Sequence, residues 1–162
     1  MDTKLLEELN KQINKEFYSA YLYFSISVYF YETNMDGFGK MVKEQAKEEL
    51  NHAKKIYNFL IARDEKITLF PIEAPENNWI NPTDAIKSAL LHEKQMTEYI
   101  KNLYIRAHEI KDYAAEIFLQ WFITEQIEEE EKFRKILGKM ENVQKYDCEI
   151  VDMDRHYENT QY

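Results

Sequence analysis

The sequence predicts an all-α fold: a four-helix bundle with one long crossover loop between the second and third helices, plus a short C-terminal fifth helix. Two observations lead to this prediction. The chain of 162 residues has only three glycines and three prolines, at 37, 39, 71, 75, 82 and 138, so long segments rich in Glu, Lys, Leu, Ile and Ala remain unbroken. The second observation is an 18-residue segment, 65–82, without helical pattern.

The four bundle helices are predicted at 3–33, 38–64, 83–110 and 113–139, within a domain covering 1–145. Asn81 and Pro82 form a strong start for the third helix, because an N-cap side chain precedes a proline at the first position. The unbroken segment 83–137 is too long for one helix of a compact domain. We therefore place a break before Asp112, which can cap a new helix.

The crossover loop is long enough to determine the topology. A helix of 28 residues is about 42 Å long. Eighteen extended residues reach up to about 59 Å. The loop can therefore follow the whole bundle and leave the second and third helices parallel.

The fifth helix is predicted at 146–158, within a C-terminal segment 146–162. Tyr146, Ile150, Met153 and Tyr157 follow one another at spacings of four, three and four residues. At the helical period these side chains share one apolar face.

Composition excludes several classes of function. The net charge of −9 argues against a nucleic-acid partner, which requires a basic surface. The single cysteine, Cys148, excludes an internal disulfide and four-cysteine metal sites. No signal-peptide pattern is visible, and the longest uncharged run, 17–31, is shorter than the roughly 20 residues that span a bilayer. We therefore expect a cytoplasmic protein without a membrane partner.

Each bundle helix carries a stripe of seven mostly apolar residues at alternating spacings of three and four, beginning at Leu6, Phe38, Ile86 and Ala115. Near the helix midpoints, side chains able to bind metal or donate hydrogen bonds interrupt the stripes: Glu16, Glu49, His52, Glu93, Gln126 and Glu129. Midpoints of packed helices share one level whichever way each chain runs. The four helices should therefore bring these side chains to one place in the core.

Four carboxylates in an apolar core require a counter-charge. No Lys or Arg lies in a stripe near that level, so we predict two divalent metal ions, and the imidazole of His52 favours a transition metal. A single carboxylate in a stripe could equally be a misread register or a side chain that reaches solvent. Four acids at one level, one from each helix, are much less easily explained in that way.

The spacing Glu16, Glu49-x-x-His52, Glu93, Gln126-x-x-Glu129 resembles the di-iron ferroxidase centre of ferritins. The segment FLQWFITEQIEEEEKF, 118–133, is similar to the fourth helix of bacterial non-haem ferritins. The resemblance implies that Glu16, Glu49 and His52 hold one iron. It implies that Glu93 and Glu129 hold the other, with Glu49 bridging and Gln126 in a secondary, hydrogen-bonding position.

The resemblance also implies roles at the edge of this centre. Glu48, Glu125 and Glu128 match a third iron site of bacterial ferritins, although a solvated acidic surface is the alternative interpretation. Tyr23 matches a tyrosine near the iron pair, which could supply electrons, and Trp121 matches a nearby tryptophan; both could equally be core aromatics. Haem is not expected, because Leu50 stands where bacterioferritins place a haem-ligating methionine.

The function implied is iron storage with ferroxidase activity: Fe(II) is oxidised by O2 or H2O2 within each subunit and stored as Fe(III) mineral in a shell of 24 identical subunits. The fifth helix would lie near the four-fold axis of that shell. A discrete di-iron oxidase or oxygenase that stores nothing is the second hypothesis. A helical scaffold without activity is the third, and the buried carboxylates argue against it.

Overall fold

The structure, a computed structural model, describes residues 1–143 and 147–160. Within these residues the chain forms five α-helices and no strand: α1 (Thr3–Glu32), α2 (Asp36–Ala62), α3 (Pro82–Glu109), α4 (Tyr113–Val143) and α5 (Asp147–Glu158). α1 packs along α2, and α3 packs along α4. The all-α prediction is confirmed. Across the described ranges, none of the helices has the length and apolar character that a membrane span requires.

The helix starts follow from local side chains. The Asn81 side chain accepts a hydrogen bond from the Asp84 backbone N–H (2.8 Å), and Pro82 occupies the first turn. The Asp112 carboxylate accepts from the Ala115 N–H (3.1 Å), which places the start of α4 where the sequence predicts it. Before Asp112, Lys111 adopts a φ of 58°, and this left-handed residue separates α3 from α4.

Three predicted helix boundaries differ from the structure by two residues or more, and two of the three involve glycine. α2 begins at Asp36 rather than 38 and ends at Ala62 rather than 64, and α4 continues through Gly138 to Val143 rather than ending at 139. Position 37 is helical but requires glycine, because a methyl group there would overlap the backbone carbonyl of Asp154 in α5. A methyl group at Gly138 would meet nothing within 4 Å. Glycine therefore permits close packing at Gly37, and the α4 ladder tolerates Gly138 without breaking.

The crossover loop follows α1 along most of its length. Side chains of α1 bond to the loop backbone at three successive levels: Asn10 to Lys66 and Thr68, Asn14 to Pro71, and Ser25 to Glu76. Near the end of α1 the Tyr29 ring packs edge-on against Trp79, with centroids 5.6 Å apart. The loop thus carries the chain back to the level at which α2 began, which leaves α2 and α3 parallel as predicted.

The bundle core has two apolar clusters with a polar layer between them. One contains Phe30, Phe38 and Phe133, and the other contains Leu9, Ile56 and Phe122. The stripe residues that the sequence identifies are buried, except for three half-buried side chains: Leu6, Phe59 and Tyr104. In every bundle helix the residues between the two clusters are the acidic, imidazole and amide side chains described below.

α5 packs against the start of α2. The side chains of Ile150, Met153 and Tyr157 pack on the first cluster, as the predicted apolar face requires, whereas Tyr146 lies outside the described residues. The Asp154 carboxylate accepts a hydrogen bond from the Phe38 N–H (2.8 Å). The N-cap residue of α2 makes no side-chain cap bond, so α5 supplies the cap that α2 lacks.

Candidate metal centre

Six polar side chains from the four bundle helices meet in the polar layer. α1 and α3 contribute one each, and α2 and α4 contribute two each. None of these six side chains is more than 4% exposed: Glu16, Glu49, His52, Glu93, Gln126 and Glu129. Glu49 and His52 are three residues apart on α2, and Gln126 and Glu129 have the same spacing on α4, so each pair shares a helix face. The structure therefore brings the six predicted residues together.

The imidazole of His52 faces three carboxylates without bonding to any of them. Its Nδ1 lies 3.5 Å from Glu49 Oε2, 3.8 Å from Glu129 Oε1 and 3.9 Å from Glu16 Oε2. Ligand atoms that share one ion at about 2.1 Å stand roughly 3 to 3.5 Å apart. These separations are too long for hydrogen bonds and close to those of a common ligand shell.

Two groups of ligand atoms, each within 4.8 Å, have Glu49 in common: Glu16, Glu49 and His52 form one, and Glu49, Glu93 and Glu129 form the other. Three buried atoms at this level have no hydrogen-bond partner: Glu16 Oε2, His52 Nδ1 and Glu129 Oε2. Buried polar atoms are normally paired, so these atoms have free lone pairs for an ion. The donor set of oxygens and one imidazole suits iron or another first-row metal.

Burial and mutual repulsion favour the protonated carboxyl in the absence of metal. The pKa of Glu16 is raised well above its usual value by burial and then by the charge of Glu49. Burial, and next the charge of Glu93, also raise the pKa of Glu49 and of Glu129. In the metal-free protein these three carboxyls therefore retain their protons to higher pH, and a divalent cation would have to displace those protons.

Three glutamine side chains donate hydrogen bonds to the carboxylate ring, which consists of Glu16, Glu49, Glu93 and Glu129. Gln12 Nε2 donates to Glu16 (2.8 Å), and Gln126 Nε2 donates to Glu93 Oε2 (3.0 Å). Gln45 Nε2 donates to both Glu49 (2.7 Å) and Glu129 (3.0 Å). Gln12 and Gln45 are not among the site residues that the sequence predicts. The available signal was their position four residues before a buried acid, which places amide and acid on one face.

Tyr23 and Trp121 lie on opposite sides of the ring. Tyr23 is fully buried, donates its hydroxyl hydrogen to Glu93 Oε1 and stacks on Phe133 with ring centroids 5.6 Å apart. Burial, followed by the charge of Glu93, raises the pKa of Tyr23 well above its usual value. Trp121 packs edge-on against His52 (5.4 Å between centroids) and is 37% exposed.

The ferritin-like domain family matches residues 6–143. The chain belongs to the ferritin family. The bacterial non-heme ferritin of Campylobacter jejuni is 35% identical over 159 residues, which cover 98% of this chain and 95% of that protein. The bacterial non-heme ferritin of Staphylococcus epidermidis is 38% identical over 133 residues, covering 82% of this chain and 80% of its own length.

Solved ferritin structures have the same fold. An open-pore ferritin from the hyperthermophilic archaeon Archaeoglobus fulgidus superposes with a TM-score of 0.97 at 35% sequence identity, covering 99% of this chain and 98% of its own. A humanized archaeal ferritin gives the same TM-score and identity, covering 100% of this chain and 99% of its own. The ferritin-like bundle and the resemblance to bacterial non-haem ferritins are thus confirmed.

The three acids that resemble a third ferritin iron site are not gathered into one group. Glu125 is half-buried and lies with His52 and Glu129 in a third set of ligand atoms within 4.8 Å. Glu48 and Glu128 are exposed, and neither belongs to a metal-type group among the described residues. Glu48 instead lies 3.4 Å from the ammonium of Lys132.

Proposed function

We propose that this ferritin stores iron and oxidises Fe(II) at the buried centre, with O2 or H2O2 as the electron acceptor. The observation that carries the proposal is the ring of four buried carboxylates, one from each helix, three of which face an unpartnered imidazole nitrogen. No described Lys or Arg side chain forms an ion pair with these four carboxylates. Two divalent ions would balance their combined charge.

Fe(II) is the substrate, and each residue has a role toward it. Glu16, Glu49 and His52 would bind one ion, Glu93 and Glu129 the second, and Glu49 would bridge the two. Gln126 would hold the Glu93 carboxylate in place through its 3.0 Å hydrogen bond. Two Fe(II) ions give up one electron each, and O2 takes both with two protons to become H2O2. Protons released from the carboxyls on metal binding are available for that step.

Tyr23 is proposed to supply an electron close to the iron pair. Its hydroxyl contacts Glu93, and its ring is shielded from solvent by the first apolar cluster. An oxidisable phenol beside the reacting metals can reduce a reactive species before it damages the core. An electron-donor role explains why residue 23 carries a hydroxyl group. Core packing would explain its aromatic side chain equally well.

Glu48, Glu125 and Glu128 are proposed to guide a further iron ion at the edge of the centre. Glu125 supports this role because its carboxylate comes within reach of both His52 and Glu129. A cavity of about 400 Å³ beside Glu48 reaches His52 and Trp121, and its lining also includes two lysines, Lys54 and Lys55. Glu48 is the acidic residue of this lining, so the support for iron guidance comes from the position of Glu125 beside His52 and Glu129 rather than from the charge of the opening.

The proposed assembly is a shell of 24 identical subunits in the cytoplasm, with no bound haem. Exposed apolar side chains support association with other subunits. Tyr21, Val28, Leu69 and Ile72 are each between 42% and 62% exposed, on α1 and the crossover loop that follows it. Apolar groups clustered on one surface are typical of subunit interfaces.

Aerobic titration of the metal-free protein with Fe(II), with iron counted after gel filtration, tests the proposal. We expect hundreds of Fe(III) ions to co-elute with a large shell. Glu129→Gln should slow oxidation strongly, whereas Glu98→Gln on the exposed surface of α3 should not. Iron that saturates near two ions per chain on a small oligomer would refute storage and favour a discrete di-iron oxidase.

A further inference from the structure

We propose that Lys132 and Gln45 form a positioning pair that orients the two carboxylates Glu49 and Glu129 for metal binding. The inference rests on the proposed function, because it concerns the same metal centre. Neither residue would touch the metal. Lys132 acts through Gln45, and Gln45 acts through the carboxylates.

Gln45 connects α2 to α4 at the level of the site. Its side chain has no solvent-exposed surface. Its Nε2 donates to Glu49 Oε1 at 2.7 Å, within α2, and to Glu129 Oε1 at 3.0 Å, across to α4. One amide group thus fixes one oxygen of each carboxylate, and Glu129 Oε2 remains without a partner.

Lys132 determines which way the Gln45 amide points. Its Nζ lies 2.6 Å from Gln45 Oε1. An ammonium has only donors, so its partner has to be the amide oxygen, and the NH2 group has to face the carboxylates. The reversed amide would place its oxygen against two carboxylates and its N–H groups against the ammonium. The contact between the N–H groups and the ammonium would be repulsive, and so would the contact between the amide oxygen and the carboxylates once metal binding has ionised them.

Lys132 is itself held at the rim of the site rather than within it. Its side chain is 32% exposed, and its Nζ also approaches Glu48 Oε2 at 3.4 Å. The ammonium bonds to Gln45 and to no ring carboxylate among the described contacts. The cation therefore leaves the lone pairs of the ring free while it fixes the amide that orders them.

Positioning and simple charge predict opposite effects of removing Lys132. A fixed positive charge repels an incoming divalent cation, so loss of the ammonium would strengthen metal binding if charge alone mattered. If Lys132 orients Gln45, its loss frees the amide to rotate and weakens metal binding. The sign of the change in metal affinity separates the two mechanisms.

Co(II) binding to the metal-free protein, followed by calorimetry and by the visible absorption of the bound ion, measures this affinity without any iron oxidation. We expect Lys132→Met to weaken binding about 10-fold and Gln45→Leu by roughly 10- to 100-fold, as for other residues that orient metal ligands. Lys132→Arg keeps a donor and should restore most of the affinity. Lys135→Met is the matched control, because Lys135 lies one turn along α4 in an exposed pair with Glu131.

The double variant provides the decisive comparison. If Lys132 acts through Gln45, Lys132→Met does not weaken Co(II) binding further once Gln45 is leucine, because only the repulsion between the ammonium and the cation is then left to remove. Unchanged or tighter binding by Lys132→Met, or effects that add in the double variant, would overturn the positioning role. If the unaltered protein binds no Co(II), the proposed metal centre itself fails, and the positioning role fails with it.

Discussion

The substitution Glu129→Gln should make the metal-free protein more stable at neutral pH while it impairs metal binding. Glu129 is buried, one of its oxygens lacks a partner, and burial raises its pKa well above the usual value. Glutamine has nearly the same shape and no charge to bury. Its oxygen can still accept from Gln45 Nε2, and its NH2 group can donate to a neighbouring carboxylate. The substitution thus removes a cost that only a bound metal offsets.

The sign and size of the effect follow from proton linkage. The unfolded chain releases the Glu129 proton near pH 4.5, whereas the folded chain retains it to higher pH. Above this pH the folded state therefore binds more protons than the unfolded state, and the free energy of unfolding falls as pH rises. Each such carboxyl contributes a slope of up to about 1.4 kcal/mol per pH unit. Glu16, Glu49 and Glu129 together set an upper limit of about 4 kcal/mol per pH unit.

Urea unfolding of chelator-treated protein, followed by circular dichroism between about pH 5 and about pH 7, measures this slope. Glu129→Gln should reduce the slope by up to about 1.4 kcal/mol per pH unit and raise the free energy of unfolding at the upper end. Glu98→Gln, on the exposed surface, should leave the slope unchanged. Identical slopes in the unaltered protein and Glu129→Gln would refute the assignment of Glu129 as a buried, protonated carboxyl.

Four further outcomes are expected. Zn(II) affinity should fall as pH falls, because binding displaces carboxyl protons; a flat profile in calorimetry between about pH 5 and about pH 8 would contradict this. Tyr23→Phe should slow iron oxidation without changing metal stoichiometry, and an unchanged rate would remove the electron-donor role. Gly37→Ala should cost about 1 to 3 kcal/mol of stability through overlap with Asp154 in α5. Gly138→Ala, its control in open space, should add about 0.4 to 1 kcal/mol in thermal unfolding. Protein produced with haem available should show no Soret band.

The helices and their buried faces could be predicted because both depend on local chemistry. Helix starts at Pro82 and Tyr113 follow from the Asn81 and Asp112 side chains, which act within one turn. The inward stripes follow from the 3.6-residue period, and nearly all of their members are buried. Glycine positions were poor guides to the helix ends, because the space around Gly37 depends on α5, a distant part of the chain, and Gly138 has open space around it.

The sequence by itself determined the level at which the acids meet. Four helices of similar length place their midpoints together, so Glu16, Glu49, Glu93 and Glu129 converge whatever the details of packing. Only the tertiary structure decided which partners orient them. The bond from Gln45 to Glu129 joins residues 84 positions apart, and that from Lys132 to Gln45 joins residues 87 positions apart. Periodicity selects a face of a helix, but the rotation and spacing of neighbouring helices decide which amide reaches which carboxylate.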